Sequence, residues 1–292
     1  MKNIIGKRKW VKVICSKRKW LVGLLGILIL PLFFYFASYN ICELAASIEV
    51  ISPYTVFPTD DQGRVGQSSL RNIPLKDINE VFLTFDDGPT RENTTKILEI
   101  LNKYKVKATF FVIGDLAERN KDIMAMMKDS GMCILPHSYT HDYNIYKSRR
   151  AYFKDLEKCI KVIKEVTGKD IPPYTRLPGG SDNSVARKSV LADIRESLKK
   201  KNMRYVDWNV SSLDAISVFV PKSVIKESVI SKCENSNFAV ILMHDSSTKK
   251  TTVDSLEEII NFLKERNFIF RTFDDITEME EREMIERRII YK

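Results

Sequence analysis

The stretch VFLTFDDGP (81–89) decides how the rest of the chain is read. Five residues, four of them apolar, are followed at once by two carboxylates and a Gly-Pro turn signal, the pattern of a short buried strand rather than a helix. Six further short apolar runs follow it: ATFFVIG (108–114), CILP (133–136), YTRLP (174–178), RYVDWNV (204–210), FAVILM (238–243) and FIFRTF (268–273). Between them lie segments with helical spacing, at 93–104, 115–130, 151–167, 184–202, 222–234 and 252–266. Strands alternating with crossover helices predict an α/β fold with a parallel sheet covered on both faces, either an open doubly wound sheet or a closed barrel. There is no internal repeat.

Working outward from that unit, the formal net charge of +9 is a property of the N-terminus. Residues 1–19 hold eight Lys/Arg and no acid, which leaves the remainder nearly neutral and argues against a nucleic-acid partner. The next twenty residues, WLVGLLGILILPLFFYFASY (20–39), carry no charge. At about 1.5 Å of rise per residue they are long enough for a hydrocarbon core of about 30 Å. The expectation is an uncleaved transmembrane helix with a cytoplasmic N-terminus and everything after Tyr39 extracellular. Residues 40–80, including PTDDQGRVGQSS, read as an extracellular stalk with one strand around 48–56. Residues 81–275 form the expected catalytic domain, and 276–292, EREMIERRIIYK among them, a charged C-terminal tail with a solvated helix. Cys133, Cys159 and Cys233 are an odd number in a domain that needs no staples, so they read as buried thiols rather than a disulfide framework.

The polar residues fall at the ends of the apolar runs. The first ends in Asp86-Asp87, the third leads into HSYTH (137–141), and the fourth contains Arg176 and ends in Pro178-Gly179-Gly180. The fifth is followed by Ser211, Ser212 and Asp214, and the sixth ends in His244-Asp245. In parallel α/β folds the C-terminal ends of the strands form the functional face. Alone, Asp-Asp-Gly-Pro is a turn, a histidine pair is a helix face, and Arg176 is a structural ion pair. Together they place all three histidines of the chain on one face with acids beside them, the composition of a metal-dependent active site. Two neutral imidazoles and one carboxylate leave coordination positions open for water and substrate. One aspartate of the pair can bind the metal while the other serves as base, ionised and oriented by an arginine. A histidine that is not a ligand can act as the acid for a leaving amine. The composite chemistry is hydrolysis of an amide.

TFDDGP (84–89), HSYTH (137–141), RLPGG (176–180), DWNVSSLDA (207–215) and ILMHD (241–245) come in the order and approximate spacing that resemble the NodB-homology polysaccharide deacetylases, carbohydrate esterase family 4. The likeness is greatest to the membrane-anchored bacterial branch that deacetylates peptidoglycan N-acetylglucosamine. The resemblance implies a distorted, incomplete (β/α) barrel of about seven parallel strands. It implies Asp86 as catalytic base, Asp87, His137 and His141 as metal ligands, and Arg176 as the tether of Asp86. It further implies His244 as general acid tuned by Asp214, the Gly179 N–H as oxyanion donor, and Leu242 as a wall of the acetyl pocket. Zinc, cobalt and nickel all suit the ligands, and the implied partner is a cell-wall glycan. Three positions depart from the family pattern: Ala215 stands for a Trp, Pro136 precedes the first histidine, and Gly179 replaces a Tyr. Rival readings are a non-haem iron oxygenase, which would consume oxygen rather than release acetate, and a silent glycan-binding anchor protein, against which Asp86 and His244 argue. Within the deacetylases, the target sugar could instead be N-acetylmuramic acid, an exopolysaccharide, a chitin-like oligomer or xylan.

Overall fold

Alternation along the first strand sorts its side chains between two compartments, and the other strands repeat the pattern. In the computed structural model, which describes residues 78–291, strand β1 (Asn79–Asp86) sends Val81, Leu83 and Phe85 to one side and Phe82 to the other, as the period of two requires. Helix α1 (Thr94–Tyr104) leads to β2 (Thr109–Ile113), and α2 (Gly114–Arg119) and α3 (Lys121–Asp129) lead to β3 (Cys133–Ser138). The single helix expected over 115–130 is therefore broken at Asn120. After a 3₁₀ turn at Tyr143–Lys147 come α4 (Arg149–Thr167), β4 (Tyr174–Thr175), α5 (Lys188–Lys200), β5 (Arg204–Val206) and β6 (Val210–Ser211). The chain continues through α6 (Lys222–Cys233), β7 (Phe238–His244), α7 (Lys250–Glu265), β8 (Phe268–Phe270), α8 (Glu278–Glu286) and β9 (Ile290–Tyr291).

The central sheet is parallel, in the order β3-β2-β1-β7-β6, with β8 also paired to β1. A second sheet, β4-β5-β9, stands apart from it, and β9 runs antiparallel to β5. The fold class is thus α/β with a mostly parallel central sheet, as expected, but the run RYVDWNV is divided between β5 and β6, which belong to different sheets. Phe82, Phe111, Leu135, Tyr174, Val206 and Val240 fill the space between the two sheets, and the opposite residues of β1, β2 and β7 pack under the surrounding helices. Truncating a phenylalanine in such a core costs about 3–5 kcal/mol.

The helices are tied at their ends by local chemistry. Ser148 accepts a hydrogen bond from the Ala151 N–H at the start of α4, and Gly168 ends that helix at φ +67°, a conformation open to glycine. Helix α8 begins with a reciprocal Thr277–Glu280 capping box. It is not the solvated appendage expected of residues 276–292. Met284, Ile289 and Ile290 are buried in the core between the sheets, and Glu280 pairs at 2.5 Å with Arg271, both almost fully buried. Two apolar residues of the tail and one of α8 reach the interior because β9 adds to the edge of β5. Cys133, Cys159 and Cys233 are buried free thiols. Among the described residues no helix is long and apolar enough to cross a membrane; the span expected at 20–39, the basic tail and the stalk strand at 48–56 lie outside the described residues.

Candidate active site

The alternation that fills the space between the sheets also delivers the site. Continuing the inner set past Phe82 gives Thr84 and Asp86 on β1, past Leu135 gives His137 on β3, and past Val240 gives Leu242 and His244 on β7. Register then sets neighbours: Asp86 is the Cα partner of His244 across the β1–β7 pair. Asp86 is 3% exposed and accepts a hydrogen bond of 2.9 Å from Nη1 of Arg176, which lies wholly buried beneath it. The same guanidinium donates to the Thr84 hydroxyl at 2.8 Å and to the carbonyls of Val206 and Asp207 at 3.1 Å. It also rests 4.2 Å from the centre of the Phe111 ring, so its position is fixed from several sides. Burial pushes the Asp86 carboxyl above its ordinary pKa, a rise that the positive charges of Arg176 and His244 oppose only in part.

One residue further, the backbone of Asp87 is left-handed at φ +75°, which costs a non-glycine residue about 1–3 kcal/mol and is typical of functional sites. Asp87 thereby points away from Asp86 and meets the histidines. His141 Nε2 lies 3.1 Å and His137 Nε2 3.6 Å from Asp87 Oδ1, and the ligating atoms of all three residues lie within 4.8 Å of one another. His137 is placed by an irregularity in β3: Val112 pairs with Pro136 but Ile113 pairs with Ser138, so His137 is the extra residue of a bulge. Pro136, one of the three departures, leaves this arrangement intact. The Pro136 carbonyl accepts from the Thr175 hydroxyl at 2.9 Å and so ties β3 to β4. His137 Nδ1 is 2.7 Å from the Arg176 carbonyl, which occupies that nitrogen and leaves Nε2 facing Asp87. Burial, first among several causes, pulls the His137 pKa down to about 3, so the ring is a neutral ligand at physiological pH. Asp87 Oδ1 is buried with no hydrogen-bond partner, although two imidazole nitrogens approach it. An orphaned carboxylate oxygen facing two free nitrogens fits a divalent cation, because a shared ion satisfies all three atoms at once.

On the other side of Asp86, His244 is clamped by Asp214. Oδ1 of Asp214 lies 2.8 Å from His244 Nδ1, and Oδ2 accepts from the His244 backbone N–H at 2.7 Å and from the Thr252 hydroxyl at 2.9 Å. Burial disfavours the imidazolium, but the hydrogen bond and charge of Asp214, with smaller contributions from Asp86 and Asp87, outweigh it and push the pKa up to about 9. The Asp214 carboxyl correspondingly sits below its ordinary value: burial raises it and the bonds from His244 more than offset this.

The loop after β4 completes a cleft of about 480 Å³ lined by both carboxylates, all three histidines, Gly179, Asp214 and Leu242. Gly179, at φ +78°, presents a backbone N–H that has no acceptor among the described residues. The cleft also has apolar lining, from Leu213, Ala215, Ile216 and Leu242. All nine residues singled out from the sequence meet here, with Arg176 forming the floor. Three residues that hold the site in place were not foreseen. Asp155 of α4 accepts from the backbone N–H groups of Tyr139 and Thr140, at 2.6 and 3.2 Å, and pins the loop between the two histidine ligands. Asp207 accepts from the Ser181 N–H at 3.0 Å and from its hydroxyl, clasping the loop of Gly179 and Gly180. Asp245, fully buried, fills the space under Gly88, where a Cβ would come within 2.0 Å of its carboxylate. Asp207 and Asp245 lie inside quoted motifs, whereas Asp155 sits on a helix face with no local signal.

Comparison with known proteins gives the family. A family model described as polysaccharide deacetylase matches residues 76–206, the part that carries Asp86, Asp87, His137, His141, Arg176 and Gly179. A peptidoglycan-N-acetylglucosamine deacetylase of Bacillus cereus is 30% identical over 197 residues, 66% of each chain. A peptidoglycan-N-acetylmuramic acid deacetylase of Bacillus subtilis is 27% identical over 205 residues, 70% of this chain and 73% of its own. The crystal structure of the catalytic domain of a peptidoglycan N-acetylglucosamine deacetylase from Eubacterium rectale has a TM-score of 0.63 at 34% identity, covering 69% of this chain and 90% of that domain. The chain belongs to the polysaccharide deacetylase family, carbohydrate esterase family 4, a family of hydrolases acting on carbon–nitrogen bonds.

Proposed function

We propose that this protein removes N-acetyl groups from cell-wall polysaccharide, with the N-acetylglucosamine of peptidoglycan as its target and acetate as a product. One observation carries the reading: Asp86 tethered by Arg176 and His244 tethered by Asp214 stand side by side in register, next to an Asp87–His137–His141 cluster. That arrangement supplies a base, an acid and a cation site around one cleft. A divalent cation held by Asp87, His137 and His141, zinc being well suited to nitrogen and oxygen donors, supplies Lewis-acid activation of water and of the acetamide carbonyl.

The chain's own residues do the rest. Asp86, with its pKa raised by burial, accepts the proton of the attacking water while Arg176 fixes its orientation. The Gly179 N–H is free to donate to the carbonyl oxygen as it gains charge. Imidazolium His244 delivers its proton to the amide nitrogen, so that the carbon–nitrogen bond breaks to a neutral amine and acetate rather than to an amide anion. Leu242, with Leu213 and Ile216, gives the acetyl methyl an apolar wall in place of the side chain that Ala215 lacks. The likeness to the Bacillus cereus and Eubacterium rectale enzymes supports N-acetylglucosamine as the sugar. The uncharged run at 20–39 behind eight basic residues supports a single-pass anchor that holds the catalytic domain on the outer face, within reach of wall glycan.

The test is acetate release from purified peptidoglycan by the full chain, metal-stripped and then zinc-loaded, with Asp86→Ala as control. The expected result is zinc-dependent acetate from the wild type, a loss of about 10²-fold or more in the variant, and new glucosamine in the acid hydrolysate. New muramic acid amine without glucosamine would move the target to N-acetylmuramic acid, and no acetate from any N-acetylated glycan would overturn the activity.

A further inference from the structure

Tyr143 stands at the mouth of the cleft in a place no local motif announces. It opens the 3₁₀ turn that follows HSYTH, and Asp142 fixes that turn by accepting from the Asn144 N–H at 2.8 Å. The Tyr143 ring is 40% exposed, yet it is held on two sides. It meets His141 edge-on at 5.8 Å between centroids and stacks on Tyr146 at 6.3 Å. Tyr146 is anchored in turn, its hydroxyl donating to the Pro178 carbonyl at 2.9 Å, so the aromatic pair is coupled to the loop that carries Gly179.

The consequence lies in where the phenol oxygen ends up. A Cβ built on Gly179 would come within 3.3 Å of the Tyr143 hydroxyl, so this hydroxyl occupies the space that a side chain at position 179 would use. It makes no hydrogen bond to any described residue, and Tyr143 lines the same cleft as Leu213 and Ile216. A rigid ring with an uncommitted donor beside a cation site, in a cleft that also carries apolar side chains, matches a pyranose, which offers an apolar face and a fringe of hydroxyls. We infer that Tyr143 is a substrate-contacting residue, whose hydroxyl binds a ring hydroxyl of the N-acetylated sugar being processed and whose ring forms the groove wall that Gly179 leaves open. This rests on the reading of the cleft as a site for an N-acetylated glycan.

Two measurements on the full chain test it, both with chitotetraose. The first is steady-state acetate release by the zinc-loaded wild type, Tyr143→Phe and Tyr143→Ala. The second is calorimetric binding of chitotetraose to zinc-loaded Asp86→Asn, with and without Tyr143→Phe, together with the zinc affinity of each variant. One neutral hydrogen bond lost corresponds to about a five-fold change. The expected result is a KM and a dissociation constant each raised about five-fold by Tyr143→Phe, with kcat and zinc affinity held and a larger loss for Tyr143→Ala. An unchanged KM in both Tyr143 variants together with unchanged chitotetraose binding on Tyr143→Phe would overturn the inference, and so would weaker zinc binding with unchanged KM, which would make Tyr143 a support for His141. If the wild type bound chitotetraose but released no acetate, the proposed activity would fail while the binding arm still decided the role of Tyr143. A wild type that bound no chitotetraose would sink the inference.

Discussion

His244 is asked to hold a proton at a pH where a free imidazole gives it up, and Asp214 is what makes that possible. Burial alone would pull the pKa of this ring below its ordinary 6.5, yet the bond from Asp214 carries it to about 9. Folding therefore raises this pKa. The stability contributed by the pair is present in full below about 6.5 and is lost as pH rises through about 9. Proton donation from His244 fails over the same upper limb. In the metal-free protein, an NMR titration should place the His244 ring near 9, and Asp214→Asn should lower it markedly, because the burial remains and the largest of the compensating charges is gone. A titration unchanged by Asp214→Asn would refute this account of the acid. At this scale the sequence was informative where chemistry and strand ends coincide. Asp86, Asp87, His137, Arg176, Asp214 and His244 belong to residue types that rarely sit among apolar runs without a task. Asp155 and Tyr143 were not legible, because their roles depend on a helix and a turn folding back over the histidine loop, which no spacing in the chain records.

Among the elements, helix α8 departs most from its sequence. EMEEREMIE carries six charged residues in nine, so a solvated face was the natural expectation from composition. What the composition hides is a pairing at long range: Arg271, in the segment after β8, is almost fully buried and needs a partner, and Glu280 supplies it at 2.5 and 3.1 Å. Glu280 also accepts from the Thr277 N–H to close the capping box, while Glu281 pairs with Arg204 of β5 at 2.7 Å. Glu280→Ala would leave a buried guanidinium without its main counter-charge and cost about 3–5 kcal/mol. Chemical denaturation should show that loss, against less than about 1 kcal/mol for the exposed Glu278→Ala. Equal effects from the two substitutions would mean that α8 is no more than a surface appendage. The strands were easier to read, since apolar runs of four to seven residues have few alternatives to a buried parallel strand. Their lengths were not: RYVDWNV looks continuous, but the chain changes sheets within it at Asp207-Trp208-Asn209, where the Asn209 side chain bonds the Val240 N–H and the Phe238 carbonyl and the Asp207 carboxylate turns to Ser181.

For the whole molecule, the cation site joins one residue of β3, His137, to two that lie beyond the strand ends. Asp87 follows the end of β1 in a left-handed conformation, and His141, itself at φ +54°, hangs in the loop beyond β3. Both conformations cost energy in the metal-free protein, and Asp87 Oδ1 adds the penalty of a buried acceptor with no partner. An ion shared by Asp87, His137 and His141 offsets these costs only in the folded state, so binding must appear as stability. At free zinc 100-fold above the dissociation constant, the linkage amounts to about 2.7 kcal/mol. For a domain of about 200 residues each kcal/mol is about 2–4 °C in Tm, so the expected rise on loading is about 5–11 °C. Five cysteines give the unfolded chain some affinity for zinc, which places the rise toward the lower end of that range. Thermal melts of the full chain with and without zinc measure it directly, and His141→Ala is the control. The variant should lose most of the increment while keeping a metal-free Tm close to that of the wild type, since His141 is a half-buried residue in the loop beyond β3 and lies outside the apolar clusters of the core. A wild type whose Tm does not respond to zinc, or a variant that gains as much as the wild type, would show that the three residues do not form one cation site.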